Sequence, residues 1–316
     1  MGKIKFLKGL SPTYKKLVTK SDETFYHTTD DDNVYLGDIK LSNGKDLEVA
    51  LNRIAALEAE ITKLKRKPKE LSQYTWGQID QKCKNNDLDD LIVGDYKTIT
   101  LTNGEKVIME IAGIDTYYNT GDLPYNHHID WISRDCLKTP YKWTSKSNNN
   151  GVPEGTDGIG IIDECPYMIS DIKSTLNNTI YKLLPSDVKA YIIPKRSLLE
   201  VRANKNNILT SSTSFKWKEM GKLWLPSEFE VFGSVECGTK LWSAGQSVQY
   251  PIFANSWEKR VKGAGNGGAR QFWWLSTVYD GHKEFVNIID GTGFPFRTNP
   301  SNLYYIPICF RIGSFK

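Results

Sequence analysis

Between residues 47 and 64 an apolar residue recurs at alternating three- and four-residue intervals, and nothing else in the chain restricts the fold as tightly. With Leu47 at heptad position a, Leu47, Ile54 and Ile61 fall at a, and Ala50, Leu57 and Leu64 at d, until Pro68 stops the pattern. Position g carries Arg53 and Glu60, and the following e positions carry Glu58 and Lys65. Parallel, in-register helices would therefore set opposite charges against each other twice. The spacing predicts a short parallel coiled coil over residues 46–69, roughly 30 Å long at about 1.5 Å per residue. Ile at a with Leu at d leans toward a dimer, while Leu51 at e and Ala50 at d widen the stripe toward three strands. The competing reading is one amphipathic helix packed on its own domain. The basic run at residues 63–69 reads as a solvated face.

Two β-like pieces precede the heptads, residues 24–28 and 33–41, joined by the turn Asp30-Asp31-Asp32-Asn33. That turn lacks the alternating ligands and distal Glu of a calcium loop. Residues 1–45 are too few to bury their own strands well, so they are expected to pack on copies or on a larger partner. Residues 70–316 look globular. With 316 residues, 39% hydrophobic and 12% aromatic, the chain can bury a sizeable core, and one large domain with an appendage fits best. A formal charge of +4, with no basic stripe among stacking rings, argues against nucleic acid as a partner. The five cysteines (Cys83, Cys136, Cys165, Cys237, Cys309) form no CxxC and read as buried or free thiols. The segment MGKIKFLKGL has no apolar signal region, and no run of about 18 apolar residues follows, so neither a signal peptide nor membrane insertion is expected.

Within the globular part, residues 76–84 read as a helix. Residues 97–101 and 106–111 flank Asn103-Gly104 as a hairpin. Residues 145–160 read as a loop or lid, 168–184 as a helix ended by Pro185, and 188–194 as a buried strand. A strand is expected before Pro226, with Ser227 capping a short helix. His127-His128-x-Asp130 invites a metal, but adjacent side chains diverge, so a structural role is expected. Gly263-Ala264-Gly265-Asn266-Gly267-Gly268 lacks the strand and the Lys-Ser/Thr of a phosphate loop and reads as a backbone turn. No catalytic motif, metal set or cofactor motif stands out, and enzyme chemistry is not expected.

The last fifth is rich in rings. Residues 272–278, 284–289 and 306–312 read as strands bounded by Gly, Asn, Asp and Pro. Alternation along 284–289 puts Val286 and Ile288 toward the core and Asn287 nearer the outside. Asp290, Phe294, Phe296 and Arg297 follow in a segment punctuated by Gly and Pro. Tyr279 and His282 lie in the neighbouring turn, and Tyr304 and Tyr305 just before the last strand. These residues are expected to converge on one ligand-binding patch, suited to a sugar ring or an apolar protein surface.

Two resemblances follow from particular motifs. Phe25-Tyr26, Val34-Tyr35-Leu36-Gly37-Asp38 and Lys40-Leu41-Ser42-Asn43, running into the heptads, resemble the N-terminal segments of phage tail-fibre and receptor-binding proteins from Gram-positive hosts. The remainder resembles a domain recurrent in prophage tail and bacterial surface proteins. It does so through Leu123-Pro124-Tyr125-Asn126, Lys222-Leu223-Trp224-Leu225-Pro226-Ser227-Glu228, Tyr250-Pro251-Ile252-Phe253, Trp273-Trp274-Leu275-Ser276 and Ile306-Pro307-Ile308-Cys309-Phe310-Arg311. That domain is similar to the C-type-lectin-like fold of formylglycine-generating enzymes and phage tropism proteins, whose ligand face is built just upstream of the last strand. The resemblance implies an α+β chain: an N-terminal β attachment region, a coiled-coil stalk that forms a homotrimer in preference to a dimer, and a C-type-lectin-like tip. It implies a virion tail or tail-like particle, with baseplate or tail proteins and a host-surface glycan or protein as partners. A tail-associated cell-wall hydrolase is the alternative. The chain departs from the pattern in carrying Ser276 where relatives often have Arg. It also lacks the calcium-lectin triplets and the paired C-terminal cysteines of the enzymes, having only Cys309 there.

Overall fold

The computed structural model describes residues 5–9, 24–30, 33–36, 39–145, 165–200, 215–238, 248–254, 256–279 and 284–316, and divides the chain into two compact units, Met1–Lys67 and Pro68–Lys316. In the first unit, β1 (Lys5–Gly9) runs parallel to β2 (Thr24–Thr28). β2, β3 (Asn33–Leu36) and β4 (Ile39–Asn43) then continue as an antiparallel meander. Thr24, Tyr26 and Thr28 alternate as the buried positions of β2, and Val34 of β3, paired with His27, is buried on the other face of the sheet. Helix α1 (Gly44–Lys65) follows directly. Its seam is open in the single chain: Ile54, Leu57 and Ile61 are 51%, 48% and 46% exposed. Among the described residues no helix is long and apolar enough to cross a membrane.

The second unit is α+β, its named sheets antiparallel and its helices short. Helix α2 (Trp76–Asn85) starts at a capping box in which Thr75 Oγ1 accepts from Gln78 N at 3.1 Å and Thr75 N donates to Gln78 Oε1 at 2.8 Å. The five-stranded sheet runs β5 (Tyr96–Thr100), β6 (Lys106–Ile114), β7 (Tyr125–Ser133), β16 (Cys309–Phe315) and β8 (Ile192–Ile193). Trp76 of α2 packs edge-on to Trp131 and Phe310 at 5.0 and 5.8 Å, which seats the helix on β7 and β16. A hairpin of β9 (Lys195–Glu200) and β10 (Phe215–Gly221) leaves the sheet after β8. The short pair β11 (Lys262–Gly263) and β12 (Arg270–Gln271) brackets the glycine-rich turn. A three-stranded sheet follows, β13 (Trp273–Val278), β14 (Val286–Ile289) and β15 (Pro295–Thr298).

Several segments differ from expectation: residues 33–41 divide into β3 and β4, and residues 222–225 carry only a single bridge, from Trp224 to Cys309. Residues 188–194 are not one strand: Pro185 precedes a helical turn, Ser186–Lys189, and only Ile192–Ile193 pairs with β16. A short apolar run cannot distinguish the two states by its pattern. Residues 168–184 break into a 3₁₀ turn (Pro166–Ile169), an α-turn (Asp171–Thr175), a π-turn (Leu176–Ile180) and a last α-turn (Tyr181–Leu183). Ser170 restarts the helix as a cap, accepting from Lys173 N at 3.3 Å. The last strand begins at Cys309 rather than at residue 306, because Pro307 has no N–H to donate to a ladder. The expected loop at residues 145–160 lies, apart from Ser145, outside the described residues.

Candidate functional site

The β14–β15 turn is built by Asp290. Its Oδ1 accepts from Thr292 N at 2.8 Å, Thr292 Oγ1 at 2.7 Å and Phe294 N at 3.1 Å. Partial burial pushes the carboxyl up, but those hydrogen bonds outweigh it and hold it below the usual carboxylate range. Around this rigid turn Phe294 and Phe296 stand 67% and 57% exposed. Arg297 places its guanidinium 4.5 Å from the Tyr279 ring and 5.2 Å from that of Phe285, and donates to the Tyr279 hydroxyl.

Among the described residues, those expected to form one patch are divided between the two faces of this sheet. On β14 and β15, Ile288 pairs with Phe296 and Asn287 with Arg297, so Phe296 and Arg297 leave the sheet on opposite faces. Tyr304 is half-buried against Trp274, itself paired with Ile288, at 5.2 Å edge-on. Tyr305 is tied by backbone bonds to Phe272 O and Trp274 N at 3.1 and 3.0 Å. His282 lies outside the described residues.

Asn287 is not near the outside but fully buried, and its Nδ2 donates to Glu228 Oε2 at 3.1 Å. Both faces of β14 are covered, which alternation within one strand does not reveal. Glu228, also fully buried, accepts from the backbone N–H groups of Glu236, Cys237 and Gly238 at 3.2, 2.8 and 2.8 Å. Burial still leaves its carboxyl above the ordinary value. The Cys237 thiol is pushed up to about 11, chiefly by burial and then by Glu228. This carboxylate therefore folds the 234–238 turn down beside the Arg297 face.

A second locus lies deeper. Ser227 and Glu230 form a reciprocal cap, Glu230 N donating to Ser227 Oγ at 3.1 Å and Ser227 N to Glu230 Oε2 at 2.8 Å. Glu230 Oε1 accepts from the Tyr117 hydroxyl at 2.5 Å and from the buried Lys195 ammonium. That ammonium sits 5.1, 5.3 and 5.6 Å from the rings of Tyr117, Trp224 and Tyr250. Beside it Arg311 grips Asp130 through two bonds of 2.7 and 2.8 Å and lies 4.0 Å over the Tyr125 ring. Burial pushes the Tyr117 and Tyr250 hydroxyls well above their ordinary value. It would also raise Asp130, but Arg311 overrides it and holds that carboxyl down.

The two histidines diverge. His127 Nδ1 lies 2.6 Å from Asp115 Oδ2, whereas His128 is fully buried, with Nδ1 2.8 Å from Asn126 O and Nε2 accepting from Tyr117 N at 3.1 Å. Among the described residues no group of three or more His, Cys, Asp or Glu side chains is placed to hold a metal.

A narrow crevice, with room inside for about one water molecule, lies between β9, β10 and Ser276 of β13. Ser197, Trp217, Ser276 and Tyr117 line it, and Glu230 connects it to the buried pairs. Sequence reasoning missed this cleft because its residues lie far apart in the chain. For the buried pairs beside it, the available signal was Arg311, a lone charge inside an apolar final strand.

The model of a domain of unknown function, DUF6273, matches residues 162–312, a stretch that holds Lys195, Glu230 and Arg311 but not Tyr117 or Asp130. Comparison with curated proteins and with solved structures gives no match.

Proposed function

We propose that the chain is a receptor-binding protein of a phage tail or of a phage-derived tail-like particle. On this reading residues 1–45 attach it to the particle, residues 46–69 join copies as a parallel coiled coil, and the C-type-lectin-like remainder grips a host-surface glycan or protein. The observation that carries the reading is the open seam of α1, where Ile54, Leu57 and Ile61 are each about half exposed in a single chain. A helix of this length is marginal in water without a partner, and the charges at g and e fit a second copy in parallel register. Three strands are favoured because Leu51 and Ala50 widen the apolar stripe. The tip reading is supported by the exposed Phe294 and Phe296, held on a turn that Asp290 makes rigid. Glu230, the carboxylate in the cleft, already bonds Lys195, Tyr117 and Ser227, which favours binding over hydrolysis. The test incubates purified protein with host cell walls and measures both retention and released fragments. Retention without release supports the proposal, and release of glycan or peptide fragments would replace it with a tail-associated hydrolase.

A further inference from the structure

We infer that the outer edge of β15 docks an extended acidic polypeptide of a partner protein, which adds a fourth strand to the β13–β14–β15 sheet. Main-chain groups are the first ground. β15 is an edge strand of that sheet, and Asp290 N donates to Phe294 O at 2.9 Å across the turn. From that pair, hydrogen bonding to β14 recurs at every second residue, at Ile288 with Phe296 and at Val286 with Thr298. The N–H and C=O of Arg297 and the C=O of Pro295 therefore point away from β14, and among the described residues no hydrogen bond is made to them. An extended polypeptide offers N–H and C=O groups at the matching spacing, which a glycan chain does not.

The two faces of β15 select the partner's side chains. Phe294 and Phe296, two residues apart, share one face and are both exposed. Phe272, also exposed, joins them there: its ring lies 5.6 Å from that of Tyr304, which packs on Trp274, and Trp274 and Phe296 both pair with Ile288. The opposite face carries cations. Arg297 is exposed there beside the rings of Tyr279 and Phe285. Trp273, paired with Ile289 and so on the same face, donates Nε1 to Arg260 O at 2.8 Å. Gly293 lets the turn close on that segment, since a Cβ there would lie 3.4 Å from Arg260 Cβ. Among the described residues neither guanidinium has a carboxylate partner, whereas Arg134, Arg196 and Arg311 are paired with Glu110, Asp122 and Asp130. Successive residues of an added strand fall on opposite faces, so the segment that fits alternates apolar with acidic side chains. Aromatic and arginine side chains are also the usual anchors of protein interfaces. For its biological partner the inference rests on the receptor-binding reading, which it narrows to a protein.

The experiment titrates the full chain with a fluorescein-labelled octapeptide in which Leu and Glu alternate, followed by fluorescence anisotropy. Comparison peptides alternate Leu with Lys, carry the same Leu and Glu as two blocks, or contain Glu alone. Saturable binding of the alternating acidic peptide is expected, at least tenfold tighter than that of any comparison. Arg297→Glu and Phe296→Ser should each weaken it tenfold or more, and Lys182→Glu, at an exposed lysine of another element, less than twofold. Circular dichroism checks each variant. Peptide N-methylation tests the main-chain bonds with the protein unaltered. Methylating the Glu residues or the Leu residues should abolish binding, and methylating the other set should not, because only alternate N–H groups of an added strand face β15. The inference is overturned by absence of saturation, by a comparison peptide binding as tightly, by wild-type affinity in the folded Arg297→Glu and Phe296→Ser variants, or by the two methylated peptides behaving alike. Host cell walls separate it from the receptor-binding reading. Retention that survives both protease treatment of the walls and Arg297→Glu would overturn the protein partner and keep that reading, whereas peptide binding without any retention would remove that reading and leave the docking edge.

Discussion

Arg311 lies between Phe310 and Ile312 on β16, an inner strand of the five-stranded sheet, fully buried, and forms an ion pair with Asp130 across on β7. Such a pair adds little net stability over apolar replacements of both residues, but removing one partner strands the other charge in a dry core. Asp130→Ala is therefore expected to destabilise the C-terminal unit by about 3–5 kcal/mol, read from urea unfolding, while Asp130→Leu with Arg311→Met costs much less. Equal losses in both variants would show that the pair's charge is not what matters. His128 gives the same core a pH dependence. Burial first, and the nearby Arg311 second, lower its pKa from 6.5 to about 4. The folded state thus keeps His128 neutral where the unfolded chain takes a proton. Its contribution is complete above pH 6.5 and is lost as pH falls toward 4, by about 3 kcal/mol at most. His128→Gln keeps one donor and one acceptor without titrating, so unfolding experiments at pH 7, 5 and 4 should find this share of the slope missing. A slope unchanged from wild type would assign the acid sensitivity to other groups.

Among the elements, what was legible was local. The heptads, the Asn103-Gly104 hairpin and the Ser227 cap each announce themselves within a few residues, because capping, turn chemistry and helical period act over that range. The Asp290 turn and its exposed phenylalanines were legible for the same reason. Asn287 was not, since its burial depends on Glu228, and the Lys195–Glu230–Tyr117 cluster depends on tertiary closure of three distant segments. The π-turn is a further case: it turns Asn177 so that its Nδ2 donates to Leu223 O at 2.9 Å and its Oδ1 accepts from Leu223 N at 3.1 Å. Gly221 makes room for that clamp, with φ of 105° and an imagined Cβ only 2.4 Å from the Asn177 carboxamide. Gly221→Ala should therefore destabilise by about 1–3 kcal/mol through strain and crowding. It should also loosen the β9–β10 hairpin in hydrogen exchange; a thermal midpoint equal to wild type would contradict this account.

At the scale of the whole molecule the proposal couples two units through copy number. If α1 joins three chains, burying Ile54, Leu57 and Ile61 replaces three half-exposed seams with one shared core. Ile54→Asp with Ile61→Asp puts carboxylates into that core, so the variant is expected to sediment as a monomer while the C-terminal unit keeps its near-ultraviolet circular dichroism. Wild-type protein sedimenting as a monomer would remove the oligomer from the account. The same variant separates grip from avidity. Three tips on one stalk act at high effective concentration once the first has bound, which multiplies retention on a cell surface on the order of a hundredfold or more without any new contact. The monomeric variant should therefore bind a soluble fragment of the host surface as tightly as wild type, yet wash off intact cells far faster. Equal residence of both proteins on cells would mean that the stalk only spaces the tip from the particle, and a loss of binding to the soluble fragment as well would mean that the site itself needs more than one copy.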